Sequence, residues 1–256
     1  MALAVTTYGN PELPPLFCIH GFAANAQAWQ PFADTLKDHF CIYAVDLPGF
    51  GKSPAGSYEL DHLLNELGRA APETAVWVGW SLGGMLAQAA AARFPERVLA
   101  VVSVAASLKF VADKSWPNGV PEPLYRGFME CIDDVRVTQR RFAALQVVGE
   151  SKDMLLHLKW LQQNTQSAST SPETLRASLE LLGLLDLRKI TPLLPMPVMH
   201  LLSANDAVLP KACTGDIAKL CKGQTVNLVP DAAHAGVVFH PQKIANALMT
   251  FVLAYA

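Results

Sequence analysis

Ala75-Val76-Trp77-Val78-Gly79-Trp80-Ser81-Leu82-Gly83-Gly84 decides the fold. A short apolar run enters a turn in which glycines stand two positions to either side of a serine. An alanine-rich helical stretch, Leu82 to Arg93, follows and is ended by Pro95. A serine lifted out between a strand and a helix sits in a strained turn at positive φ, so the side chains around it must be small. Gly79 and Gly83 meet that need, and Gly79-Trp80-Ser81-Leu82-Gly83 reads as a G-x-S-x-G nucleophile elbow with Ser81 as the candidate nucleophile.

On both sides of the elbow, β-rich runs alternate with helical stretches. The strands expected before and around it are Leu16 to His20, Phe40 to Asp46, Ala75 to Val78 and Val98 to Val104, with helices at Trp29 to Asp38 and Leu60 to Ala70. That alternation predicts an α/β fold with a mostly parallel sheet and helices on both faces. From Lys109 to Asp186 it stops, giving way to leucine- and arginine-containing helical segments broken by Pro117, Pro121, Pro123, Gly149 and the polar stretch Gln162 to Ser171. After Pro192, Pro195 and Pro197 the pattern returns, with strands at Val198 to Leu202 and Thr225 to Val229 and helices near Lys211 to Cys221 and Pro241 to Tyr255. The expectation is a core formed by residues 1–108 and 187–256, with 109–186 inserted as a helical cap.

A serine hydroxyl is a poor nucleophile near neutral pH and needs a base. In an α/β-hydrolase chain order the acid and then the histidine come after the serine. His234 follows the last predicted strand through the loop Pro230-Asp231-Ala232-Ala233 and is the candidate general base. His240 competes, but it precedes Pro241 at a helix start and reads as a surface or capping residue. Asp206, after the strand Val198 to Leu202, is the candidate that orients the imidazole. Asp231 is too near His234 in the same loop, and Asp186 belongs to the end of the cap. Acyl transfer also requires donors for a developing oxyanion. The backbone N–H groups of Phe22, in His20-Gly21-Phe22, and of Leu82 are the candidates, with His20 a structural residue beneath the loop.

Other features bound the reading. Gly49-Phe50-Gly51-Lys52-Ser53 ends like a phosphate-binding P-loop, but Asp46 stands where the first glycine belongs and Pro48 stiffens the middle, so the segment reads as a loop at the active-site edge. The 256 residues are 51% hydrophobic and 16% charged with a net charge of −2, enough to bury a full core and without a bulk pull toward nucleic acid or an anionic membrane. Cys18, Cys41, Cys131, Cys213 and Cys221 are odd in number and lack CxxC spacing, which argues against a disulfide framework and against a zinc site. No metal and no organic cofactor is expected. The first residues carry no signal-peptide pattern and no run is long and apolar enough to span a bilayer, so the expectation is a cytoplasmic monomer.

Taken together, the strand-HGF, DLPGFGKS, VGWSLGG, ARFPERV, NDAVLP and DAAHA segments resemble α/β-hydrolases over essentially the full length. Within that superfamily, Gly79 to Gly84, Arg141-Phe142-Ala143-Ala144-Leu145-Gln146 and Leu184-Leu185-Asp186-Leu187-Arg188 resemble the biotin-pathway esterases that cleave pimeloyl-acyl-carrier-protein methyl ester. The resemblance implies a serine carboxylesterase working through an acyl-enzyme on Ser81 that His234-activated water resolves. It implies that Phe22, Leu82, Phe142 and Gln146 border the acyl chain or its distal end. It also implies that basic cap residues, here Arg136, Arg140, Arg141, Lys152 and Lys159, meet an acidic acyl-carrier protein. A general short-chain carboxylesterase or a related C–C or thioester hydrolase shares the same triad, because fold does not set substrate. A non-catalytic, ligand-binding relative is weighed against by the presence of all three candidate residues, and a haloalkane dehalogenase by Ser81 in place of aspartate.

Overall fold

Alternation along the strands settles how the sheet is covered. The computed structural model describes residues 2–150, 153–166 and 170–255. In β2 (Pro15–Ile19), Leu16 and Cys18 enter one apolar cluster while Phe17 and Ile19 enter another. Successive side chains of a strand point to opposite faces, so both faces of this strand are buried. The first cluster takes in Phe32 and Leu36 of α1 (Gln30–Leu36) and Ile244, Leu248 and Phe251 of the C-terminal helix. The second takes in Leu63, Leu64 and Leu67 of α2 (Leu60–Ala70) and Leu82, Leu86 and Ala90 of α3 (Leu82–Arg93).

The remaining strands are β1 (Val5–Tyr8), β3 (Cys41–Val45), β4 (Ala75–Trp80), β5 (Val98–Val104), β6 (Val198–Ser203) and β7 (Thr225–Val229). They lie in the order β1-β3-β2-β4-β5-β6-β7. All neighbours are parallel except β1, which pairs antiparallel with β3, Val5 opposite Val45 and Tyr8 opposite Ile42. From β2 the chain steps to one side to form β3, then returns past β2 to form β4. The order reverses there, and in open α/β sheets the loops at such a reversal frame a crevice beyond the strands' carboxyl ends.

Between β5 and β6 come α4 (Glu122–Glu130), α5 (Val135–Val147), α6 (Met154–Asn164) and α7 (Pro172–Leu184). Asp134 caps α5 by accepting from Val137 N–H at 3.0 Å, and Ser171 caps α7 by accepting from Thr174 N–H at 3.2 Å. Chain entry and exit of this segment meet: Lys109 bridges Asp186, and Leu187 N–H donates to Leu108 C=O at 2.7 Å. Two expectations change. Residues 109–121 form bridged turns, with Val111 opposite Val120, instead of helix. Pro121 and Pro123 start α4 instead of breaking it, since a proline in the first turn forfeits no helical hydrogen bond.

The chain closes with α8 (Cys213–Leu220), the short α9 (Gly236–Phe239) and α10 (Pro241–Leu253). Among the described residues no helix is long and apolar enough to cross a membrane. All five cysteines are free thiols; four are buried and Cys131 is half-buried.

Candidate active site

Ser81 stands between β4 and α3 at φ 56°, ψ −118°, outside the regions that non-glycine residues ordinarily occupy. The turn is held from both sides: Ser81 N–H donates to Val104 C=O at 2.9 Å, and Ser81 C=O accepts from Gly84 N–H at 2.9 Å. The glycines are required by contact. A Cβ on Gly79 would overlap the backbone of Gly83, and one on Gly83 would overlap the carbonyls of Ile19 and His20. Holding a non-glycine residue in such a conformation costs on the order of 1–3 kcal/mol, which the packing around the turn offsets.

Three side chains distant in sequence form one chain of hydrogen bonds. Ser81 Oγ lies 3.0 Å from His234 Nε2, and His234 Nδ1 lies 2.8 Å from Asp206 Oδ2. An ionised carboxylate only accepts, so Nδ1 carries the proton and Nε2 is left to accept from the serine hydroxyl. The other oxygen of Asp206, Oδ1, accepts from the N–H groups of Val208 and Leu209, both at 2.8 Å. All three side chains are buried: Ser81 is 3% exposed, and the side chains of His234 and Asp206 are 1% and 2% exposed. Away from bulk solvent a hydrogen bond is electrostatically stronger than it would be in water.

The turn after β2 passes beside the serine. A Cβ on Gly21 would stand 3.1 Å from Ser81 Cβ, so the turn after β2 packs closely against Ser81. Leu82 is the first residue of α3, and a first helical residue has no partner for its N–H within the helix. Phe22, Leu82, Phe142 and Gln146 are all buried. The Phe142 ring packs edge-on against Phe22 at 5.0 Å between centroids, against Phe128 at 5.4 Å, and against the His234 ring at 6.3 Å. Phe142 and Gln146 are four residues apart on α5 and so share a face.

His20 supports this turn from below. Its Nδ1–H donates to Gly21 C=O at 2.8 Å and its Nε2 accepts from Leu47 N–H at 2.9 Å. Burial pushes its pKa below the ordinary value, with Asp46 opposing the shift. The Asp46 carboxylate is itself engaged by the N–H groups of Ala26 at 2.7 Å and Lys52 at 2.8 Å. The loop from Asp46 to Ser53 is therefore wrapped around its own carboxylate and tied through His20 to the turn that carries Phe22.

The expected surface residues are placed as follows. Arg136, Arg140 and Arg141 are exposed on α5, and Lys159 is exposed on α6. Arg140 and Arg141 border an apolar groove with Val137, Ala144 and Leu158. Lys152 lies outside the described residues. His240 is half-buried rather than on the surface, and makes no side-chain capping bond: its Nε2 is 2.9 Å from Glu150 Oε2. Two contacts to the His234 loop have no signal in the sequence, namely the Glu150 carboxylate on Ala233 N–H and the Trp80 indole N–H on the His234 carbonyl, both at 2.9 Å. Among the described residues no group of three or more His, Cys, Asp or Glu is arranged to hold a metal.

The signature of the alpha/beta hydrolase fold family matches residues 14–241. Pimeloyl-[acyl-carrier protein] methyl ester esterases of Salmonella heidelberg and Salmonella agona are each 35% identical to this chain over 247 residues, covering 95% of both partners. Among solved structures, a bromoperoxidase from Bacillus anthracis superposes with a TM-score of 0.86 at 18% identity, covering 98% of this chain and 95% of that one. An esterase from Exiguobacterium antarcticum gives 0.85 at 19% identity, with the same coverage. At such identities the two structures speak for the fold alone.

Proposed function

The chain belongs to the α/β-hydrolase family, and within it to the relatives of the pimeloyl-[acyl-carrier protein] methyl ester esterases; from that premise we propose that it is a serine carboxylesterase acting on the methyl ester of a carrier-bound pimeloyl chain, as biotin synthesis requires. The observation that carries the reading is the unbroken hydrogen-bond chain Ser81–His234–Asp206 at the carboxyl end of β4. The identity of the substrate rests on the curated relatives, which match the chain along nearly its whole length.

In the proposed reaction His234 Nε2 takes the proton of Ser81 as Oγ attacks the ester carbonyl. The oxyanion forms toward the N–H groups of Phe22 and Leu82, where charge develops and is offset by fixed dipoles. His234 then passes its proton to the departing methoxide, releasing methanol and leaving the acyl group on Ser81. Water deprotonated by His234 attacks the acyl-enzyme, and the serine leaves with its proton restored. Asp206 keeps the imidazole in the required tautomer throughout and stabilises the imidazolium. Phe22, Leu82, Phe142 and Gln146 border the acyl chain in this account. Residues 109–186 form the cap, and Arg136, Arg140, Arg141, Lys152 and Lys159 present positive charge to an acidic acyl-carrier protein.

The test is incubation of wild-type and Ser81→Ala protein with pimeloyl-carrier-protein methyl ester, followed by mass. Loss of one methyl group with the wild type alone is expected. Intact carrier ester beside brisk cleavage of short nitrophenyl esters would discard the carrier-bound substrate and leave a general carboxylesterase.

A further inference from the structure

The backbone around His234 is anchored at three successive points. Ala233 N–H donates to Glu150 Oε1 at 2.9 Å, His234 C=O accepts from the Trp80 indole at 2.9 Å, and Ala235 N–H donates to Gln146 C=O at 3.1 Å. One anchor comes from the residue before the nucleophile; the other two come from α5 and the turn that leaves it. The hydrogen bond from His234 to Asp206 fixes how the imidazole ring is turned. The backbone anchors fix where the ring stands.

Glu150 is the unusual member. It follows Gly149, whose φ of +104° lets the chain pass close to Asn205, and its side chain is only 2% exposed. Each carboxylate oxygen has a partner: Oε1 takes Ala233 N–H, and Oε2 takes the Nε2–H of His240 at 2.9 Å, at the start of α10. His157 of α6 brings its Nδ1 to 4.0 Å from Oε2 and stacks its ring on Phe239 with centroids 3.9 Å apart. A buried carboxylate is costly unless it is hydrogen-bonded, and this one, carried by the segment between β5 and β6, is satisfied by Ala233 and His240 of the core.

We propose that Glu150 is a positioning residue for His234, fixing the base of the site to the inserted helices so that the imidazole is correctly placed only when α5 is seated. The proposal rests on the reading of His234 as general base. Glu150 touches no reacting atom and acts through the backbone of Ala233. Removing the carboxylate releases one of the three anchors, the one at Ala233, while leaving Ser81, Asp206 and the residues around the acyl chain as they are, so the effect falls on turnover and not on substrate binding.

The experiment compares wild type, Ser81→Ala, Glu150→Ala and Glu150→Gln in hydrolysis of a short nitrophenyl ester, with rates expressed per folded molecule as judged by thermal melting. For Glu150→Ala, kcat falls roughly tenfold or more with KM little changed, as a small misplacement of a catalytic group requires. Glu150→Gln recovers most of the loss, because its carbonyl accepts from Ala233 N–H and its amide donates to His240 in the opposite tautomer. If Glu150→Ala does not fold, Glu150→Asp replaces it: one methylene short, it cannot reach both partners, and the same fall in kcat is expected. Wild-type kcat in the Ala or Asp variant, with only a lowered melting temperature, overturns the proposal. Equal activity in wild type and Ser81→Ala overturns the reading of the site itself.

Discussion

At Ser81 the strained backbone and the hydrogen bond to His234 act together, holding the hydroxyl against the imidazole Nε2. Ser81→Ala removes only that hydroxyl, so kcat on a nitrophenyl ester should fall by about a thousandfold or more with the melting temperature held. Asp206→Asn is the sharper probe. The new amide still accepts from Val208 and Leu209, but its NH2 faces His234 Nδ1 and drives the ring proton to Nε2, where it opposes the serine. A fall in kcat on the order of ten-thousandfold with an intact fold is expected, measured by steady-state kinetics beside a melting curve. That Ser81, Asp206 and His234 meet could be expected from the sequence because each follows a recognisable strand, and the order expected of a nucleophile, acid and base says where to look. The contacts of Glu150 and Trp80 could not, because nothing in local spacing says that a side chain will meet a loop more than eighty residues away.

At the scale of elements, the turn between β4 and α3 tolerates no added atom, whereas the outer side of α8 has room. Gly83→Ala would press a methyl into the carbonyls of Ile19 and His20, and a loss of more than about 3 kcal/mol of unfolding free energy, or failure to fold, is expected in urea titration. Gly215, exposed within α8, has nothing within 4 Å of an added Cβ, and Gly215→Ala should stabilise by about 0.5–1 kcal/mol in the same assay. Strand positions came through in the sequence because parallel strands buried on both faces read as continuous apolar runs, as Ala75-Val76-Trp77-Val78 does. β1 did not. Val5–Tyr8 is four residues long, half polar and partly exposed at the sheet edge, and only its pairing with β3 makes it a strand. The turns of residues 109–121 were hidden for a related reason, being held by the Lys109–Asp186 and Val111–Val120 bridges and not by any local pattern.

At the scale of the molecule, stability carries a pH dependence set inside the sheet. His200, on β6 and fully buried, offers Nε2 to Gln224 at 3.0 Å, and burial pushes its pKa down to about 4. The unfolded chain, with an ordinary histidine, therefore binds more protons than the native one between about pH 4 and 6.5, and stability falls as pH falls through that window. Between pH 7 and pH 5 the loss from His200 alone is roughly 2 kcal/mol, and His20, shifted the same way by burial, adds to it. Urea unfolding at the two pH values checks this, and equal midpoints would contradict it. The same scale shows why the inserted helices matter: they contribute Phe142 beside the site and Gln146 and Glu150 beneath the His234 loop, so the site is complete only in the assembled molecule.

The most direct test of the central claim is the covalent state of Ser81 during turnover. Acid-quenching the protein within the burst of nitrophenyl ester hydrolysis and mapping its peptides by mass should find the acyl group on the peptide containing Ser81, and on no peptide of the Ser81→Ala variant. Hydrolysis with no acylated protein, or with the acyl group on another residue, would contradict the account.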